Sequence, residues 1–269
     1  MKRLLTTLAT LLWVTTSFAY EVHDPEPTQA DLAEQWLFDF MVDVSPPGMK
    51  SPYPEAEETK EEAEARYRSI ARDILLVVFD PETQVLFKGP HGRTRTAAVV
   101  VAIMAHESSF KKHVDYGLGK YGRGDNGNSW CMMQHNIGQG RTIKWNWKHK
   151  RTVRWGDPPE EVFQGYTGKE LLADRTKCIE EGVKIARLSF RVCSKNALEH
   201  RLSSYASGNC EKGLPQSENR MSTAFKFMRE TKRQWHAFTD AGVQAVLEEA
   251  FQTRRVKLAK ERARVAGKR

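Results

Sequence analysis

Glu107 is the residue whose surroundings first point to chemistry. The apolar run from Ala97 to Phe110 predicts a helix, and on it the same-face neighbours of Glu107 at i−3, i−4 and i−7 are Met104, Ile103 and Val100. A carboxyl over an apolar face is desolvated, which raises its pKa. Near a helix C-terminus the negative end of the dipole disfavours the anion further. A carboxylic acid kept protonated near neutral pH is what a general acid for a glycosidic oxygen requires. The competing reading is an ordinary ion pair with a cation such as Lys111 at i+4.

Two other kinds of chemistry fail on spacing. His106-Glu107 begins a zinc-protease H-E-x-x-H motif, but Phe110 stands where the second His is needed. His113 and His135 are read as surface histidines. Gly117-Leu118-Gly119-Lys120-Tyr121-Gly122 matches G-x-G-x-x-G, yet it follows a helix and lacks the preceding strand of a dinucleotide site. No metal or organic cofactor is expected.

The elements that must position Glu107 read as mainly α. Leu32, Trp36, Leu37, Phe40 and Met41 make an apolar stripe over Asp31–Val44, stopped by Ser45-Pro46-Pro47-Gly48. An acidic run, Glu55–Glu64, leads into a helix through Ile70–Phe79. Thr94 or Thr96 can cap the helix that carries Glu107. Further helices are expected at Lys169–Val192, Ala197–Ala206 and from Ser217 onward, with Arg254–Arg269 projecting as a basic, frayed helix. Strand patterns are weak.

Composition and the N-terminus narrow the setting. The chain has 269 residues, 40% hydrophobic and 28% charged, which excludes collagen-like, rod-like and wholly disordered classes. Its formal charge of +8 suits any polyanion and so does not choose a partner. Lys2 and Arg3 precede a mostly apolar run, Leu4 to Val14, and Ser17 and Ala19 match a small-residue cleavage site. The run is too short for a membrane span. This predicts a secretory signal peptide at 1–19 and an exported protein, periplasmic or extracellular, that meets the membrane only through that leader. An uncleaved interfacial segment is the alternative.

Four cysteines in an exported chain fit two disulfides, with three connectivities. Cys193–Cys210 would close a short loop between helical segments, which leaves Cys131–Cys178. No C-x-x-C or nearby Cys/His pair has zinc-ligand spacing.

Read in order, three short motifs carry a family likeness. Glu107-Ser108-Ser109-Phe110, Trp130-Cys131-Met132-Met133-Gln134 and Ser204-Tyr205-Ala206-Ser207-Gly208 resemble the E-S-x-F, G-L-M-Q and A-Y-N-A-G elements of SLT-type lytic transglycosylases. These belong to the lysozyme-like superfamily, which includes goose-type lysozyme. The likeness covers roughly residues 95–215. It implies a lysozyme-like helical domain, placed at 57–240; the flanks lie outside the likeness and read from their own residues as an N-terminal helical extension and proline-rich linker at 20–56 and a basic C-terminal helix or tail at 241–269. It also implies an enzyme that cuts the MurNAc–GlcNAc β-1,4 bond of peptidoglycan glycan strands. Glu107 matches the single catalytic acid/base, and Ser108 the residue that shapes the floor of the substrate site. Gln134 matches the cleft Gln that contacts substrate, and Tyr205 the Tyr that hydrogen-bonds the catalytic carboxyl. Two departures stand out: Cys131-Met132 replaces the usual Gly-Leu, and Ala206 falls at the Asn position.

The resemblance leaves the reaction type open. A lytic transglycosylase needs one carboxyl, because the muramoyl C6 hydroxyl of the substrate is the nucleophile and intramolecular attack has a high effective molarity. A lysozyme-type hydrolase needs a second acidic residue, for which Asp115 and Asp125 in the glycine-rich loop are candidates. Asp125-Asn126-Gly127 also reads simply as a turn. Trp145 and Trp147, among Lys144, Lys148, Lys150 and Arg151, could stack on sugars or be core residues of an insertion that also holds Trp155. Single-stranded nucleic acid would suit such a stretch, but export argues against it. A non-catalytic wall-binding protein on the same scaffold is the rival from another class.

Overall fold

Capping boxes start three of the helices: Thr28 with Asp31, Thr59 with Glu62, and Thr167 with Glu170 each exchange side-chain and backbone hydrogen bonds. The structure is a computed structural model that describes residues 26–48, 50–146 and 148–266. The expected leader at 1–19 and Trp147 lie outside the described residues.

The helices in chain order are α1 (Gln29–Val44), α2 (Lys60–Val78) and α3 (Gly92–Ser108), then the one-turn segments α4 (Lys112–Asp115) and α5 (Gly124–Gly127). They continue as α6 (Gly168–Ala173), α7 (Arg175–Val192), α8 (Ser203–Ser207), α9 (Leu214–Glu230), α10 (Lys232–Trp235) and α11 (Asp240–Ala266). Five two-residue strands form a hairpin of β1 (Ser129–Trp130) with β2 (His135–Asn136), and an antiparallel sheet. That sheet places β3 (Trp145–Asn146) between β4 (Arg151–Thr152) and β5 (Val162–Phe163). The fold is mainly α.

Helix α3 is the hub. Every residue from Ala97 to Met104 is fully buried, as befits a helix that is apolar all round rather than on one stripe. Helices α1, α2, α7, α9 and α11 surround it. Its N-terminus is capped from a distance: the Asp240 carboxylate, in the first turn of α11, accepts from Arg93 N at 2.8 Å and from Thr94 N and Oγ1 at 3.1 and 2.7 Å. Neither expected cap, Thr94 or Thr96, holds the N-cap position: the helix starts at Gly92, after His91, and Thr96 donates to the Gly92 carbonyl.

The flanks differ from expectation. Trp36, Leu37, Phe40 and Met41 of α1 share one apolar cluster with α3, and so do Val243 and Phe251 of α11. Helices α1 and α11 therefore contribute to the central core rather than standing apart from it. Arg254 and Arg255 do not project; they pair with Glu180 and Asp80 at 2.5 and 2.9 Å. Disulfides join Cys131 to Cys178 and Cys193 to Cys210, compatible with an oxidising compartment. Among the described residues no helix is long and apolar enough to cross a membrane.

Candidate active site

Glu107 lies in the last turn of α3, where the helix is broken sharply. Ser108 Oγ donates back to the Met104 carbonyl at 2.8 Å and accepts from Phe110 N at 3.3 Å. Ser109 and Phe110 then take left-handed backbone, with φ of 49° and 51°. Phe110, fully buried, holds this turn in place against Tyr67. Ser108 is thus buried and occupied in shaping the turn. Its hydroxyl is engaged within the helix end.

The turn of the β1–β2 hairpin supplies the next segment. Cys131 and Gln134 also have positive φ, 57° and 48°, a region that favours glycine. Cys131 stands where the G-L-M-Q element it resembles has Gly, and its disulfide to Cys178 of α7 pins that unfavourable conformation. Close approach is made by Gly182 of α7: a Cβ there would fall 2.0 Å from Met133 Sδ. Met132 and Met133 are fully buried, as core residues.

Gln134 is turned inward. Its Nε2 donates to the Cys131 carbonyl at 2.8 Å and its Oε1 accepts from Gly124 N at 2.9 Å. The amide clamps the glycine-rich loop to the hairpin. Tyr205 of α8 also differs from the role the resemblance implies: its hydroxyl donates to the Met133 carbonyl at 2.9 Å, not to Glu107. It is nevertheless a neighbour, since the Glu107 charge, after burial, pushes the Tyr205 phenol well up.

The hydrogen bond of Glu107 goes to a residue that the motifs do not contain. Arg220 Nη2, on α9, donates to Glu107 Oε1, while Nη1 donates to the Gln216 carbonyl at 2.8 Å. The Glu107 side chain is 20% exposed and that of Arg220 9%. Loss of water raises the Glu107 pKa above the ordinary carboxyl value. Arg220 opposes this through its charge and hydrogen bond, and the Asp125 charge adds to it. The net direction is upward. Arg220 also helps burial hold His106 below the usual imidazole value.

The two candidate second carboxylates separate. Asp115 is buried in a network with α7 and α2: Arg175 donates to it at 2.8 and 3.1 Å and also binds Asp73 at 2.5 Å. A carboxylate chelated by a guanidinium on both oxygens is not available to face Glu107. Asp125 is exposed, in a turn where both it and Asn126 have positive φ. Ser129 Oγ and Asn136 Nδ2 donate to its Oδ2 at 2.6 and 3.1 Å, and its charge reaches Glu107.

Six of the eight non-glycine residues with positive φ among the described residues fall in these three segments: Ser109 and Phe110, Asp125 and Asn126, Cys131 and Gln134. Left-handed backbone at non-glycine residues costs on the order of 1 kcal/mol or more each, and such strain gathers at functional sites.

Comparison with protein-family models, curated proteins and solved structures finds no match.

The remaining candidates lie elsewhere. Trp145 is buried in β3 and lines a separate cavity with Phe163, so it does not join Glu107. Trp155 is fully exposed. His113 and His135 are buried, not on the surface; burial drives the His135 imidazole down to about 4. Cys131, His135 and Cys178 meet in one cluster of metal-ligating types. The two sulfurs are bonded to each other and His135 Nε2 engages the Cys178 carbonyl at 2.9 Å. The set therefore offers no thiolate to a metal.

Proposed function

We propose that the protein is an exported peptidoglycan-cleaving enzyme, a lytic transglycosylase in which Glu107 is the single acid/base. The observation that carries this reading is the state of Glu107. Its side chain is largely withdrawn from water yet one-fifth exposed, its affinity for a proton is raised, and its Arg220 contact engages Oε1. That leaves Oε2 as the oxygen to carry the proton. In the proposed reaction Glu107 gives this proton to the glycosidic oxygen between MurNAc and GlcNAc as the C1–O bond breaks. The carboxylate then takes the C6 hydroxyl proton as O6 bonds to C1, closing a 1,6-anhydro ring. The proton returns to Glu107, so no outside reagent is needed. Arg220 would steady the carboxylate stage, and Tyr205, Met133 and Gln134 would keep the hairpin against it.

A second reading, lysozyme-type hydrolysis, is favoured by one observation: the Asp125 charge is felt at Glu107. Mass spectrometry of the soluble muropeptides released from sacculi separates the two. Anhydro-muramic ends support the lyase, and free reducing muramic ends support the hydrolase. Binding to sacculi without release would reject both in favour of a wall-binding protein.

A further inference from the structure

A cavity of about 360 Å³ opens between the β3–β5 sheet, helices α7 and α11, and the loop that follows α2. It shares no lining residue with the Glu107 cluster. Trp145, Phe163, Val183 and Leu258 form an apolar wall. Charged groups surround that wall, and its acids are satisfied. Asp80 is held by Arg255 at 2.9 Å, and Glu180 by Arg254 and Lys184 at 2.5 and 2.8 Å.

Arg187 is the exception. Its guanidinium lies 5.9 Å from the Trp145 ring centre and donates one 3.3 Å hydrogen bond, to the Lys150 carbonyl. Among the described residues no carboxylate stands within ion-pair distance of it. Burial, and the charge of Arg191 one helical turn on, pull its pKa below the usual guanidinium value. For a half-buried cation, one long hydrogen bond and one ring contact replace only part of the hydration lost, and no counter-charge supplies the rest. An incoming anion would restore what is missing, and the planar guanidinium fork suits a carboxylate. The volume falls in the range of about 300–1,000 Å³ that holds small organic ligands against apolar walls with a few polar anchors.

We infer that this cavity binds a small organic carboxylate with an apolar body, its carboxylate at Arg187 and its body against Trp145 and Phe163. The inference is independent of what Glu107 does. Isothermal titration calorimetry on the whole chain tests it with N-acetyl-L-phenylalanine, N-acetyl-L-phenylalanine amide and inorganic phosphate. The acid should bind once per chain, at least tenfold more tightly than the amide and than phosphate. Arg187→Gln should bring the acid down to the affinity of the amide. Equal binding of acid and amide, no binding of either at millimolar concentration, phosphate binding as tight as the acid, or full affinity in Arg187→Gln would each overturn it. If Arg187→Gln does not fold, the acid–amide comparison in the unaltered protein decides alone.

Discussion

Replacing Arg220 by Met keeps much of the side-chain volume and removes the one cation that, among the described residues, is hydrogen-bonded to Glu107, so it isolates the ion pair. Breaking a fully buried pair by deleting one partner costs about 3–5 kcal/mol, because the other charge is stranded. Glu107 retains one-fifth of its side-chain exposure and can escape by taking a proton, so the cost near neutral pH should be about 2–3 kcal/mol. The pH dependence follows from the raised folded-state pKa of Glu107. A carboxyl that holds its proton more tightly when folded contributes stability below its unfolded pKa of about 4.3 and loses it as pH rises through the folded value. Without Arg220 the folded value rises further, so the variant's deficit should be small at pH 4 and grow toward pH 8. Urea unfolding of both proteins across that range measures the difference. At about 2–4 °C per kcal/mol for a chain near this size, melting at pH 8 should fall by roughly 4–12 °C. A deficit that is flat with pH, or larger at pH 4, would refute the assignment of Arg220 as the partner of an ionising Glu107.

Three further outcomes test the frame of the site. Gly182→Ala places a Cβ 2.0 Å from Met133 Sδ, and overpacking of this kind should cost about 1–3 kcal/mol in urea unfolding. The disulfides close stretches of 17 and 47 residues; chain-entropy arithmetic assigns them about 3 and 4 kcal/mol. Melting with and without reductant checks this, and an unchanged midpoint would show the bridges to be absent. Asp125→Asn removes a charge that raises the Glu107 pKa, so the loss of activity at rising pH should set in at lower pH. A pH–rate profile that does not move would remove Asp125 from the electrostatics of the site.

Much of the architecture is legible in the sequence because helical periodicity survives in it. The run Ala97–Met104 reads as a buried helix, and the stripe of α1 reads as a core face. The C-terminal helix is the instructive failure. Its basic composition suggests a free tail, whereas Val243, Phe251 and Leu258 recur at helical spacing and are buried. Its arginines have partners on Asp80 and Glu180, more than 70 positions away, which local reading does not reach. Arg220 has a local signal: Ser217, Ala224 and Phe227, at i−3, i+4 and i+7, mark it as a charge on the buried face of α9. Asp115 had none, because its neutralising Arg175 stands 60 positions on. The strands, two residues each, are too short to show alternation.

The central claim is that Glu107 moves the proton. Glu107→Gln keeps the shape and an acceptor for Arg220 but cannot donate an acidic proton, so it separates chemistry from architecture. Release of anhydro-muropeptides from purified sacculi should proceed with the unaltered protein and fall by orders of magnitude in the variant, with folding verified by circular dichroism. Equal release by both proteins would contradict the account.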